Sequence, residues 1–359
     1  YTLYDDIWSD QPPLFTVLLS GWFAIVGESP TTARILIALF SALLLWSFYL
    51  TVHGTTTAFA AISATLLLVL SQFYLRLSSA VMIGLPALAL AMTAIAFLVR
   101  GRQRFWSLVI SGLLMALALE TKLFVVVLFP AIGLQLLVAN GANGTTLSLG
   151  QRVARLLCWL VVVTVAFLGL SIYFNALNID MLLKPHFAEQ TRTQTLFTSG
   201  SQEFIADFFK QQPVYLMVAA LGVIFAYRQR SRAVVLPLAW FLTVTLAFIF
   251  HRPLWYHHIM LLTIPMAWLC AFSLHAWGNL FDHLAGTTTR QRLLRTALLA
   301  TTAVALCAAI LNYPSPLDAR LEEQAKLYRP LYIWEMVHQL QADAKEEQGF
   351  VFTDRPFYA

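Results

Sequence analysis

The sequence predicts an all-α polytopic membrane protein, and three observations carry that prediction. Of the 359 residues, 59% are hydrophobic and only 11% charged, where a soluble domain carries about a quarter charged residues. Mean hydropathy is +0.71. The apolar residues also fall in runs near the length that crosses a hydrocarbon core, about 20 residues, with arginines gathered in alternate gaps between the runs.

Ten such runs are expected, at 35–52, 59–75, 79–99, 105–119, 123–138, 153–174, 213–227, 233–250, 259–277 and 293–311. Arg100, Arg102 and Arg104 mark one gap as cytoplasmic. Arg152 with Arg155, Arg228 with Arg230 and Arg232, and Arg290 with Arg292 and Arg295 mark three more. The gaps between hold about one basic residue each (Arg34, Arg76, Lys122, Arg252), so the loops alternate in sidedness without a violation. The net charge of +5 therefore reads as a topology signal and excludes a nucleic-acid footprint. Cys158, Cys270 and Cys307 each lie inside an apolar run, which argues for packing thiols over a disulfide framework or a metal site.

Counting back from Arg100 puts the segment before Arg34 on the extracytoplasmic side. The apolar run 13–26 is too short to cross easily and reads as an outer juxtamembrane helix. Three regions follow from this count. Residues 1–34 form an extracytoplasmic acidic loop and juxtamembrane helix, and 35–312 form the transmembrane domain with a long outer loop at 175–212. Residues 313–359 open a small α/β extracytoplasmic domain, in which a charged helical stretch is ended by Gly349 and followed by the strand-like Phe350-Val351-Phe352-Thr353. The first residue is Tyr1, so the chain reads as incomplete at its N-terminus and, ending at Ala359 in mid-pattern, at its C-terminus.

Polar residues with chemistry to offer gather at the outer membrane face. Tyr4-Asp5-Asp6-Ile7-Trp8-Ser9-Asp10-Gln11-Pro12-Pro13-Leu14 sets three carboxylates at a membrane edge. There they are costly unless they face water, a cation or a partner. His251-Arg252-Pro253-Leu254-Trp255-Tyr256-His257-His258 sets basic, imidazole and aromatic groups directly before a span. An aromatic belt explains Trp255 and Tyr256. The four basic or titratable neighbours suit a phosphate at headgroup depth. Glu120-Thr121-Lys122 sits in a tight outer turn, as an interfacial ion pair or as part of a site. Arg76 either snorkels to headgroups or contacts phosphate, and Lys184, His186 and Arg192 lie in the long outer loop.

The aromatic-Asp-x-x-x-(acidic or polar)-x-Pro-Pro-Leu pattern resembles the first extracytoplasmic loop of the GT-C membrane glycosyltransferases. The likeness is greatest to the family 39, aminoarabinose-transferase and protein-mannosyltransferase-like branch. The Thr121-Lys122 turn, the Pro-x-Trp-Tyr-x-His stretch at 253–258 and the helix-Gly-strand tail extend it along the chain. The resemblance implies a sugar transferred from a polyprenyl-phosphate carrier to an acceptor on the extracytoplasmic face of a multi-pass cell-membrane protein, with inversion. Its partners are then the lipid-linked sugar, membrane lipids and an acceptor the sequence does not name, with no nucleic acid. The main base it implies lies upstream of Tyr1. Asp6 and Asp10 are left to shape the pocket or to hold a divalent cation, with Asp10 as the candidate ligand, and no other cofactor is implied. Gln11 stands where the aminoarabinose branch tends to have Lys, and Gly84 where members commonly place an acidic residue. Gln11, Arg76, Lys122, Lys184, His186, Arg252, Tyr256, His257 and His258 are the candidate substrate-binding residues. A transporter or flippase is the rival class, against which the absence of repeated halves counts. An inactive binder of lipid-linked sugars is kept open by the missing acid near Gly84.

Overall fold

The computed structural model describes residues 11–101, 104–138, 147–177, 201–251, 254, 256–284, 289, 293, 296–297 and 300. Asp6 and Asp10 of the acidic loop, Lys184, His186, Arg192, Arg252, most of the expected span 293–311 and the α/β tail lie outside the described residues. Among the described residues every regular element is helical.

Short polar signals start the helices where the sequence places them. Helix α1 (Leu14–Val26) follows the double proline, and Gly27, at φ 87°, makes the turn into α2 (Pro30–His53). Ser29 caps α2 in a reciprocal box with Thr32, and Pro30 occupies its first turn, where no amide hydrogen is missed. Thr57 caps α3 (Ala58–Val69) and Ser71 caps α4 (Gln72–Ser79). Helices α5 (Gly84–Arg100) and α6 (Phe105–Thr121) form an antiparallel hairpin. A 3-10 segment, Leu123–Leu128, then leads into α7 (Phe129–Val138). Ser148 and Gln151 box the start of α8 (Leu149–Tyr173). The remaining helices are α9 (Ser201–Gln211), α10 (Pro213–Arg228), α11 (Val235–Phe250) and α12 (Met260–Leu284), the last preceded by the 3-10 turn Tyr256–Ile259.

Among the described residues four segments are long and apolar enough to cross a membrane: Pro30–His53, Leu149–Tyr173, Arg232–Phe250 and His257–Asn279. The expected single run 59–75 is instead two helices bent by 67° at Leu70 and Ser71. The cause is local. Ser71 leaves helical geometry at ψ 135° and its hydroxyl takes the Tyr74 amide, which starts a new helix in place of continuing the old one. Tyr74 then anchors α4 to α2 through its hydroxyl contact with Ser41. Helices α9 and α10 meet at 86°, with Pro213 at the start of α10. The expected run 79–99 begins as helix only at Gly84, and the first six residues of 123–138 are 3-10.

Helix α12 is the axis of the bundle, buried on nearly all sides, with α10, α3 and α11 packed around it. A helix that is apolar all round belongs in such a place. Its approach to α10 is close, since a Cβ on Gly222 would lie 2.0 Å from the Leu269 carbonyl oxygen. Helix α8 lies at the periphery and presents Leu157, Val161, Val165 and Ile172 outward. Exposed rings mark helix ends, with Trp106 73% exposed at one end of the bundle and Tyr173 81% exposed at the other, as interfacial aromatic belts require. This is a multi-pass helical membrane protein.

The arginine-rich turns share one end. The space beside Gly54, at the end of α2, is filled by Val99 and Arg100 of α5. Arg152 and Arg232, from the starts of α8 and of the segment before α11, donate to the Leu137 and Val138 carbonyls that end α7. Their charge meets the negative end of that helix.

Candidate functional site

At the opposite end of the bundle three chain termini meet: the first residue of α5, the last of α6 and the turn before α12. Lys122 caps α6 in extended geometry, its amide held by the Ala118 carbonyl at 2.9 Å. Its side chain reaches the 3-10 turn of α12, where Nζ lies 3.1 Å from His257 Nε2. An ammonium only donates, so Nε2 accepts and the ring hydrogen sits on Nδ1. Gly84 is the floor beneath the pair. A Cβ there would lie 3.9 Å from Lys122 Nζ and 4.0 Å from His257 Cδ2. Gly84 is buried, while Lys122 and His257 are half-buried. The start of α5 adds a third source of positive potential. Its N-cap Ile83 makes no side-chain cap, so the first-turn amides face this end with the positive pole of the helix.

The histidine stretch divides. His257 turns to Lys122, whereas His258, 6% exposed, stacks on Phe124 with ring centroids 4.7 Å apart. His251 lies 4.8 Å from the same Phe124 ring and Phe248 lies 5.8 Å from it. These rings form an apolar wall behind the Lys122–His257 pair. Helix α4, which carries the half-buried Arg76, packs against the Tyr256–Ile259 turn from the other side. Gln11 is half-buried just ahead of the buried Pro12 and Pro13.

The Glu120–Lys122 ion pair expected as one reading of that turn does not form. Glu120 is wholly buried; Ser171 Oγ of α8 donates to its Oε1, and its Oε2 has no hydrogen-bond partner. Glu120 ends the α6 interface with α8 instead of pairing with Lys122. An unmet buried acceptor costs about 1–3 kcal/mol.

The structure thus brings together Lys122 and His257, 135 residues apart in sequence, and sets Arg76 on an adjoining helix. Tyr256 lies in the same turn. Sequence reasoning missed three contributors. Gly84 was noticed only for the acid it lacks, Phe124 reads as one more apolar residue, and nothing local links Glu120 to Ser171. Among the described residues no group of three His, Cys, Asp or Glu side chains is placed to hold a metal ion.

Residues 10–173 match the family model described as dolichyl-phosphate-mannose-protein mannosyltransferase. No curated protein sequence matches the chain. Among solved structures, the crystal structure of ArnT from Cupriavidus metallidurans bound to undecaprenyl phosphate aligns with a TM-score of 0.58 at 15% identity, over 87% of this chain and 62% of that one. The present chain therefore spans a little under two thirds of that structure's length. The Archaeoglobus fulgidus oligosaccharyltransferase, solved in complex with Zn and sulfate, aligns at a TM-score of 0.47 and 15% identity, over 86% of this chain and 46% of that one. The family model thus matches a little under half of this chain, through α8, and the ArnT fold is shared over most of it, so the chain is similar to the GT-C membrane glycosyltransferases and has their fold.

Proposed function

We propose that this protein transfers a sugar from a polyprenyl-phosphate carrier to an acceptor at the extracytoplasmic face, with Lys122 and His257 holding the carrier's phosphate. The observation that carries the reading is the 3.1 Å Lys122–His257 contact above Gly84, at the end of the bundle away from the arginine-rich turns. An ammonium, an imidazole and an open helix N-terminus converge there, and each favours an anion. Depth favours a lipid-borne anion. Helices α5 and α6 have 17 residues each, about 25 Å of helix, against a hydrocarbon core of about 30 Å. Helix α2, with 24 residues, ends level with α5 where Gly54 meets Val99 and Arg100, so its extra length of about 10 Å lies at the site end. A site at the short ends is recessed toward the acyl region, within reach of a phosphate whose prenyl chain stays in the bilayer. That the ArnT structure holds undecaprenyl phosphate accords with this. The transfer is inverting, with Asp6 and Asp10 shaping the pocket or holding a divalent cation.

The test is transfer from a radiolabelled polyprenyl-phosphate sugar in membranes that contain the full-length protein, with expression checked. Charge-assisted bonds contribute about 1.5–3 kcal/mol. Lys122→Met and His257→Ala are therefore expected to weaken use of the donor by about tenfold or more. His258→Ala is expected to act on stability instead. Wild-type turnover and donor affinity in both Lys122→Met and His257→Ala would remove the phosphate from this site.

A further inference from the structure

Glu120 has no role in that reading, yet it is the kind of group a fold does not keep for packing. Its carboxyl is wholly buried in the last turn of α6, with Oε1 bound by Ser171 and Oε2 unmet. An apolar side chain of the same volume would serve the interface at least as well. Its location supplies the reason. Two residues on, the chain leaves the helix at Lys122, whose extended backbone points its side chain at His257. Ser171 sits at the tightly closed end of α8, where Asn175 takes a left-handed turn at φ 52° and Ala176 donates back to the Ser171 carbonyl at 2.7 Å. The Trp159–Ser111 bond, which also joins α6 to α8, lies several turns away toward the arginine-rich end. Near the site, the Glu120–Ser171 bond is what registers the end of α6 against its neighbour.

We propose that Glu120 is a positioning residue, which by holding Ser171 of α8 sets where α6 ends and so keeps Lys122 against His257. The proposal rests on the phosphate reading for its functional consequence, and the experiment separates the two. Glu120→Leu removes the tie and the unmet acceptor together. In the full-length protein reconstituted in nanodiscs, its melting temperature is expected to be unchanged or higher. Its affinity for undecaprenyl phosphate is expected to fall about tenfold, the scale of one charge-assisted contact. Glu120→Gln, which keeps an acceptor for Ser171, should stay within about twofold of wild type. In a Lys122→Met background Glu120→Leu should have no further effect, because it acts through Lys122. Retained affinity in Glu120→Leu overturns the proposal. So does an equal loss with and without Lys122, or a melting temperature lowered alike by Leu and Gln.

If wild type and Lys122→Met bind the lipid equally well, the phosphate reading fails, and positioning is then judged without it. A single cysteine at position 122 is modified with a charged methanethiosulfonate in the presence and absence of Glu120→Leu. A changed rate with Leu but not with Gln supports positioning, and equal rates in all three proteins overturn it.

Discussion

Substituting Gly84 by Asp places a carboxylate in the space that the phosphate reading needs empty. A Cβ at this position stands 3.9 Å from Lys122 Nζ and 4.0 Å from His257 Cδ2, with nothing nearer among the described residues. The added side chain therefore fits without moving backbone. The carboxyl carbon lies about 1.5 Å further out, so one rotamer brings an oxygen within salt-bridge distance of the ammonium. At a charge separation of about 4 Å and an effective dielectric near 20, the attraction is about 4 kcal/mol. Lys122 is only half-buried, and solvent screening reduces that figure to about 2 kcal/mol. The new carboxylate also repels an incoming phosphate. Together these predict a loss in affinity for polyprenyl phosphate of about tenfold to a hundredfold, with little change in melting temperature. Gly84→Ala is the control: it adds the Cβ alone, in ordinary contact, and should bind nearly as wild type does. The assay is equilibrium binding of undecaprenyl phosphate to the full-length protein in nanodiscs, over a range of salt. A folded Gly84→Asp protein that binds with wild-type affinity would refute the reasoning, since no phosphate could then be meeting Lys122 above Gly84.

Two further outcomes test the frame that holds the site. Gly222→Ala is expected to destabilise the bundle by about 2 kcal/mol or more, because its Cβ would stand 2.0 Å from a backbone oxygen of α12 and the two helices must part; Gly21→Ala, with nothing within 4 Å, should be neutral or stabilising in the same thermal melts. For sidedness, a cysteine at the exposed Glu28 should react with a membrane-impermeant thiol reagent in intact cells, and one at the exposed Gln229 only after permeabilisation; the reverse pattern, in a background lacking the native cysteines, would invert the topology and with it the extracytoplasmic site.

Much of this protein is legible in its sequence because the bilayer enforces local rules. Backbone polar groups must be satisfied within a segment, so apolar length alone marks the helices. Ser29 with Pro30, Thr57 and Ser148 with Gln151 start helices through bonds that span three residues. The arginine clusters name their own side of the membrane. Even Lys122 and His257 are recognisable one at a time, as polar groups at the margins of apolar runs. Their meeting is not, because it depends on α5, α6 and α12 ending at one level, and helices far apart in sequence are brought there only by packing. The same holds for Glu120. Beside Lys122 in sequence it reads as half of an ion pair, but α8 covers it and gives it Ser171, leaving the ammonium for His257. The bend at Ser71 shows the boundary between the two kinds of information. The serine cap that permits the break is local. Its angle belongs to the tertiary structure, set by Tyr74 reaching back to Ser41 across 33 residues.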